Sequence, residues 1–175
     1  MSEMSHLNKR QPEWLKKRRA AMPWIYGGLV GGAVIWCSLI FLTPVLQCKG
    51  ANGQEVSALI FRFFSPICHQ NPARSLSLCG HVFPVCGRCF GIYIGFLFGT
   101  IVYPIFRGWN DSTPHIRWLA WATLPSLIDF ILSITGLAVI HNQVRFAAGL
   151  ILGAAAAFYV APAMFQLSVH SKREA

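Results

Sequence analysis

The chain has 175 residues, which suits a single domain, and 54% of them are hydrophobic while only 12% are charged. Because soluble domains carry about 25% charged residues, this composition excludes an ordinary soluble globular protein and indicates an integral membrane protein. The net charge is +9, and six of the fifteen basic residues lie between Lys9 and Arg19.

This basic stretch lies within the first 21 residues, directly before a long apolar segment. Lys and Arg residues beside an apolar segment are typical of the cytoplasmic flank of a membrane helix. A nucleic-acid-binding arm is the alternative, but the stretch has no interleaved aromatic residues apart from Trp14 and Trp24. We therefore predict that residues 1–21 are a cytoplasmic tail, with no nucleic-acid partner.

Four apolar segments follow, each a candidate for a helix that crosses a bilayer. A helix rises about 1.5 Å per residue, so about 20 apolar residues cross a hydrocarbon core of about 30 Å. The predicted spans are residues 22–46, 90–106, 116–140 and 144–167. The first is too long for the apolar part of a signal peptide, so it is predicted to be retained. Only three residues separate the last two spans, which predicts a tight antiparallel pair.

The loop between the first and second spans, residues 47–89, contains a further apolar segment from Val56 to Ile67. That segment is about twelve residues long and carries Arg62, so it is too short to cross a membrane. It is predicted to be a helix that lies at the membrane interface or packs against the bundle. The predicted fold is therefore an all-α integral membrane protein with a four-helix domain at residues 22–167.

Small residues recur at every fourth position on three of the spans. The three series are Gly28 and Gly32, then Gly91, Gly95 and Gly99, then Gly149, Gly153 and Ala157. Such faces let helix backbones approach closely, which favours a compact bundle or a homo-oligomer. The alternative is that membrane helices are simply rich in glycine.

An even number of spans places both termini on one side of the membrane. If that side is the cytoplasm, the inner segments carry ten basic residues and the outer segments carry five. Basic residues are enriched in cytoplasmic segments of membrane proteins. The sequence therefore predicts a multi-pass protein of the cell membrane, with the N-terminus and the tail at residues 168–175 in the cytoplasm. The loop at residues 47–89 then lies on the outer face.

This loop holds five of the six cysteines, whereas Cys37 lies among apolar residues of the first span. Cys86 and Cys89 form a CxxC pair, in which one tight turn can aim two sulfur atoms at one ion. Cys68 and His69 lie upstream and can supply the remaining ligands of a tetrahedral zinc ion. The preferred zinc ligands are therefore Cys68, His69 or His81, Cys86 and Cys89.

Two other interpretations use the same cysteines. A CxxC pair at the start of a helix is typical of thiol–disulfide oxidoreductases, because the helix N-terminus stabilises a thiolate. A CxxC at the outer end of a four-helix membrane bundle also resembles the architecture of quinone-linked disulfide-generating enzymes. Structural disulfides are the third interpretation, since an outer location is oxidising.

Asp129 is the only acidic residue within a predicted span. A carboxylate inside a membrane is costly and is a functional candidate, here for a small transporter or channel subunit. It is expected near the membrane midplane, paired with Arg145 or with a hydroxyl of Ser126 or Ser133. Asn142, Arg145 and Arg88 are expected at the outer mouth, where the arginines could hold a small anionic ligand or a lipid head group.

The segments "CHQNPARS", "FPVCGRCFGIYIGF", "LPSLID" and "NQVRFAAGLILG" together resemble a family of small polytopic prokaryotic membrane proteins, domain of unknown function 2085. Among residues with reactive or charged side chains, the family pattern falls on Cys68, His69, Arg74, Cys86, Arg88, Cys89, Asp129, Asn142 and Arg145. It omits Cys79 and His81, so the resemblance implies Cys68, His69, Cys86 and Cys89 as the ligand set. The family usually has a glycine where this chain has Phe130. The resemblance implies no particular activity, so whether the protein is an enzyme stays open.

Overall fold

The computed structural model describes residues 13–50, 53–107, 113–135 and 141–170, without the side chains of residues 13–22, 107, 165 and 167–170. Four helices in these ranges are long and apolar enough to cross a membrane, at Pro23–Cys48, Gly87–Phe106, Ile116–Thr135 and Asn142–Met164. The predicted four-helix membrane fold is therefore confirmed. The second span begins at Gly87, earlier than the predicted residue 90. Residues 1–12 and 171–175 of the predicted tails, and residues 136–140 of the third predicted span, lie outside the described residues.

Helix α1 (Glu13–Cys48) is the longest element and ends where the Cys/His loop begins. Its last turn closes through a hydrogen bond from the N–H of Lys49 to the carbonyl oxygen of Val45, at 3.3 Å. Gly50 follows with a φ of +103°, in the left-handed region that favours glycine after a helix end. This termination fixes the position of Cys48.

Helix α2 (Gln54–Phe64) is the short additional helix predicted from residues 56–67. Its buried face rests on α1, where the Phe64 ring meets the Trp36 ring edge-on at a centroid distance of 5.1 Å. Gln47 of α1 also donates a hydrogen bond from Nε2 to the Ser57 hydroxyl at 2.6 Å. Leu59 is exposed, and so is much of Phe63 although its ring also meets the Trp36 ring, as expected of a helix at a membrane interface.

A β-hairpin completes the loop and was not predicted from the sequence. A short 3₁₀ turn (Pro72–Arg74) leads into strand β1 (Ser75–Leu78), which pairs antiparallel with β2 (His81–Cys86). The two residues between the strands, Cys79 and Gly80, have φ values of +51° and +78°. Two consecutive positive φ values are the requirement of a type I′ turn, whose twist matches that of the strands.

The remaining elements are α3 (Gly87–Arg107), α4 (Ile116–Thr135) and α5 (Asn142–His170). Helices α3 and α5 pack backbone to backbone along their glycine faces. A Cβ atom at Gly91 would collide with the carbonyl oxygen of Phe146, and one at Gly153 with that of Ile92. The predicted close approach is therefore present between these two helices, where only glycine fits.

The glycines of α1 behave differently. A Cβ atom at Gly28 or Gly32 would meet nothing within 4 Å. These residues therefore do not serve packing within the described part of the chain, and a homo-oligomer through glycine faces stays a prediction.

Candidate metal centre

Three cysteine side chains from three different elements converge at one end of the bundle. Cys68 follows α2, Cys86 ends β2, and Cys89 lies in the first turn of α3. Their Sγ atoms all lie within 4.8 Å of one another. We refer to Cys68, Cys86 and Cys89 as the thiol cluster.

Two backbone turns bring Cys68 into the thiol cluster. The N–H of Cys68 donates to the carbonyl oxygen of Phe64 at 3.0 Å, which continues the chain beyond the end of α2. Gln70 then adopts a φ of +49°, and its side-chain Nε2 donates to the carbonyl oxygen of Phe61 at 2.6 Å. This reversal leaves the Cys68 side chain buried, against the apolar cluster formed by α1, α2 and β2.

Cys86 and Cys89 are positioned by the direct passage from β2 into α3, without an intervening loop. Gly87 begins the helix, and a Cβ atom there would lie 3.0 Å from the carbonyl oxygen of Asn142. The small residue between the two cysteines therefore lets α3 begin against the start of α5. The CxxC turn predicted from the sequence is thus a strand-to-helix junction.

The Cys68 sulfur is surrounded by hydrogen-bond donors. The backbone N–H of Cys86 donates to it at 3.2 Å. The thiols of Cys86 and Cys89, together with the backbone N–H groups of Cys86 and Gln70, outweigh the effect of burial and lower the pKa of Cys68 to about 2. Cys68 is therefore a thiolate at neutral pH, which is the form that binds metal ions.

His69, the predicted fourth ligand, is exposed and does not belong to the thiol cluster. It nevertheless lines the same cavity as the three cysteines. Among the described residues, the group of possible ligand atoms this close together contains neither a histidine nor a carboxylate. The structure thus brings three of the four predicted ligands together, and the part of His69 stays a prediction.

The cavity beside the thiol cluster has a volume of about 390 Å³ and is partly open. Arg74 and Arg88 lie on its wall, next to the residues of the thiol cluster. The full lining consists of Ile67, Cys68, His69, Asn71, Arg74, Cys86, Arg88, Cys89, Phe130, Ser133 and Ile134. The predicted candidates Asp129, Asn142 and Arg145 are absent from this lining.

Asp129 instead joins three helices by ion pairs. Its Oδ2 accepts a hydrogen bond from Nε of Arg88 at 2.7 Å, and its Oδ1 lies 3.5 Å from Nε of Arg145. The carboxylate is 3% exposed. The expected pairing with Arg145 is present, whereas pairing with Arg88 was not expected. The expected hydroxyl partners are not used, since Ser126 donates to the carbonyl oxygen of Ala148 at 3.1 Å.

These partners also determine the depth of Asp129 in the bundle. Arg88 and Arg145 lie in the first turns of α3 and α5, and Asp129 lies six residues before the end of α4 at Thr135. At about 1.5 Å per residue, Asp129 is roughly 9 Å from that end. It therefore lies in the half of the bundle that carries the thiol cluster, and its expected position near the membrane midplane stays a prediction.

Asn142 holds the loop to the bundle rather than lining the cavity. Its Nδ2 donates to the carbonyl oxygens of Ala73 at 3.2 Å and Ser75 at 3.0 Å. The first residue of α5 thereby fixes the turn that leads into β1. Both N–H groups of the Asn142 side chain are used in these two bonds, so Asn142 positions the loop.

Comparison with known proteins agrees with the resemblance in the sequence. A family model described as "Predicted membrane protein (DUF2085)" matches residues 68–159. An uncharacterised protein of Methanocaldococcus jannaschii is 36% identical over 132 residues, which cover 73% of this chain and 85% of that protein. An uncharacterised protein of Methanothermobacter thermautotrophicus is 34% identical over 90 residues, which cover 51% of this chain and 80% of that protein. No solved structure matches the chain significantly.

Proposed function

The chain belongs to the DUF2085 family of predicted membrane proteins, and we propose that it binds a zinc ion at one end of its helix bundle through Cys68, Cys86 and Cys89. The observation that carries this proposal is the convergence of three thiols, from the segment after α2, from β2 and from α3, within 4.8 Å of one another. Zn–S bonds are about 2.3 Å long, so the sulfur atoms of a tetrahedral zinc site are ~3.8 Å apart. Small movements of the side chains would suffice to close the thiol cluster around an ion.

The fourth position of the zinc ion decides which role it has. We propose His69 as the fourth ligand, because it directly follows Cys68 and lines the same cavity. Four protein ligands are typical of a structural zinc site, whereas three ligands and an open position are typical of a catalytic or ligand-binding one. His69 is exposed, so rotation of its side chain would convert one arrangement into the other.

A zinc ion bound here would tie the loop at residues 47–89 to the membrane helices. It would link the end of α2, the hairpin and the start of α3, and we propose this structural role as its first function. Arg74 on the cavity wall favours a small anion or a lipid head group as a ligand beside the metal, whereas the charge of Arg88 is compensated by Asp129. The excess of basic residues in the segments on one side supports an orientation with both termini in the cytoplasm of a prokaryotic cell and the site on its outer face.

A thiol–disulfide oxidoreductase is the second candidate, because the same geometry places Cys68 beside both members of the Cys86/Cys89 pair. In that case Cys68 would exchange a disulfide with one of them. Convergence of three thiols, rather than two, together with a histidine on the same cavity favours the metal. The transporter alternative receives no comparable support, since both oxygens of Asp129 face arginine side chains.

One experiment separates the first two candidates. The protein is purified in mild detergent, its metal content is measured by plasma mass spectrometry, and free thiols are counted before and after chelation. We expect about one zinc per chain and thiols that become reactive only when a chelator is added. Cys37→Ala, which removes a buried thiol of α1 outside the thiol cluster, is the matched control and should retain the zinc. Absence of metal, combined with a reversible Cys86–Cys89 disulfide, would overturn the zinc proposal in favour of the oxidoreductase.

A further inference from the structure

A second pair of thiols lies outside the thiol cluster. Cys48 is the last residue of α1, and Cys79 is the first residue of the two-residue turn between β1 and β2. The Sγ of Cys48 lies 3.7 Å from the carbonyl oxygen of Leu78, so the end of α1 and the tip of the hairpin are in contact. The chain thus brings the Cys48 thiol next to the residue before Cys79 and beside the Cys79 thiol.

Both members of this pair are held by rigid surroundings. The end of α1 is fixed by its capping turn, as described above. The hairpin is fixed on α1 by Phe83, whose ring meets the Phe41 ring edge-on at a centroid distance of 5.6 Å. Val85, two residues further along β2, is fully buried. The proximity of the two thiols is therefore a consequence of packing on both sides.

The turn itself does not explain a cysteine at residue 79. Its φ of +51° lies in the left-handed region, where Gly, Asn and Asp are preferred and other side chains are strained. A cysteine there gives the hairpin no conformational advantage. What it does provide is a thiol directed at Cys48.

Exposure sets this pair apart from the other cysteines. Cys48 and Cys79 are both exposed, whereas Cys37 and Cys68 are buried and Cys86 and Cys89 are half-buried. A soluble thiol reagent or a partner protein can therefore reach Cys48 and Cys79 directly. Binding of a metal by the thiol cluster would leave both of them free to react.

We propose that Cys48 and Cys79 are a redox-active pair that forms an intramolecular disulfide between α1 and the hairpin tip. The oxidant is a disulfide of general form R–S–S–R, either a small molecule or the active-site disulfide of a thiol oxidoreductase. One cysteine thiolate attacks a sulfur of R–S–S–R, forming a mixed disulfide and releasing one thiolate. The second cysteine thiolate then displaces the other R–S group. The protein loses two protons and two electrons, and the oxidant becomes two R–SH molecules.

The disulfide would act on the same hairpin that carries a member of the thiol cluster. Strand β2 runs from the turn at Cys79–Gly80 to Cys86, so its two ends lie at the two cysteine sites. Closing the Cys48–Cys79 bond would add a covalent link to the existing contact between the hairpin tip and α1. The pair would therefore restrict motion of the strand that presents Cys86.

The test uses the full chain as purified in detergent, exposed to oxidised glutathione. Remaining thiols are alkylated, and unreduced peptides are mapped by mass spectrometry. We expect one peptide pair joined through Cys48 and Cys79, two hydrogens lighter than the separate peptides and released by a reductant. Cys79→Ser should leave Cys48 carrying glutathione, because no second thiol displaces it, while Cys37→Ala should leave the joined pair unchanged.

Three other results would contradict the proposed Cys48–Cys79 disulfide. Alkylation of both Cys48 and Cys79 after exposure, or stable glutathione on both, would overturn the proposal. So would a disulfide from either residue to the thiol cluster. If Cys79→Ser fails to fold, the peptide map of the unaltered chain still decides. The outcome does not depend on metal content, so this proposal and the zinc proposal can fail separately.

Discussion

The backbone N–H of Cys86 donates a hydrogen bond to the sulfur of Cys68 at 3.2 Å, although the two residues are separated by 18 positions in the chain. This contact joins the chain segment after α2 to the end of β2. It also holds the Cys68 sulfur close to those of Cys86 and Cys89, all three within 4.8 Å of one another. The backbone contact between Cys86 and Cys68 thus fixes the spacing from which a metal site could form.

Removing single ligands should rank their contributions to zinc binding. We expect Cys68→Ala to reduce bound zinc from about one per chain to near zero, because the most buried sulfur is lost. We expect His69→Ala to retain zinc but to weaken its affinity by roughly 10- to 100-fold, since water can occupy the fourth position. Competition with a chelator of known affinity measures both effects. Equal zinc affinity in His69→Ala and the unaltered chain would exclude His69 as a ligand.

The low pKa of Cys68 predicts how many protons accompany zinc binding. Three ordinary cysteine thiols would release three protons at pH 7, because each must be deprotonated to bind the metal. The pKa of Cys68 is lowered to about 2, so this residue is already a thiolate above that pH and has no proton to release. We expect at most two protons per zinc, measured by calorimetry in buffers of different ionisation enthalpy. Release of three protons would contradict the assigned thiolate.

Asp129→Asn should destabilise the bundle strongly. The substitution removes the carboxylate that compensates Arg88 and the buried Arg145. Breaking a buried ion pair by removing one partner costs about 3–5 kcal/mol, because a charge is left without compensation. The expected result is a lower unfolding temperature in detergent, with partial recovery in the double variant Arg88→Gln with Asp129→Asn. Arg117→Gln on the exposed side of α4 is the control. An equal loss of stability in Asp129→Asn and Arg117→Gln would contradict a stabilising role of the Asp129 ion pairs.

Alanine substitutions should distinguish the glycine faces that pack between α3 and α5 from the glycine face of α1. Gly153→Ala places a methyl group against the carbonyl oxygen of Ile92, and overpacking of this kind costs about 1–3 kcal/mol. Gly28→Ala meets nothing within 4 Å and should leave stability unchanged or slightly raised, since alanine favours helices. Thermal unfolding in detergent measures both. A loss of stability in Gly28→Ala that appears only in an oligomeric form would instead support the predicted oligomer through α1.

Thiol labelling tests the predicted orientation. Cys48 and Cys79 are exposed within the loop at residues 47–89, which is predicted to face outward. A membrane-impermeant maleimide should therefore label them in intact, reductant-treated cells, and the label should disappear in the double variant Cys48→Ser with Cys79→Ser. The measurement is mass tagging of the purified protein. Labelling that requires permeabilised cells would place the loop in the cytoplasm and reverse the orientation.

The membrane fold could be predicted from the sequence because each span is a long apolar segment, and length alone identifies such helices. The hairpin was not predicted because its strands are short and its turn is Cys79–Gly80. The usual sequence signal of a type I′ turn is an Asn-Gly or Asp-Gly pair. The alternation of Leu76 and Leu78 with serines is typical of a half-buried strand, and it could have predicted β1.

The same limits apply to the site. Cys68, Cys86 and Cys89 could be selected by spacing, since a CxxC turn presents two sulfurs and a third cysteine lies within reach of a short loop. The pairing of Arg88 with Asp129 could not, because it depends on how α3 and α4 are placed in space. The Cys48–Cys79 contact is similar, since it joins the end of one element to the tip of another across 31 positions.

The hydrogen bonds from Asn142 to Ala73 and Ser75 bear on the order in which the protein matures. The segment with all six cysteines is synthesised before α4 and α5. Its anchoring residue, Asn142, arrives only with the last helix, as does Arg145. The cysteine loop can therefore adopt its final position only after the C-terminal helix has inserted, so a chain truncated before α5 would present its thiols unprotected.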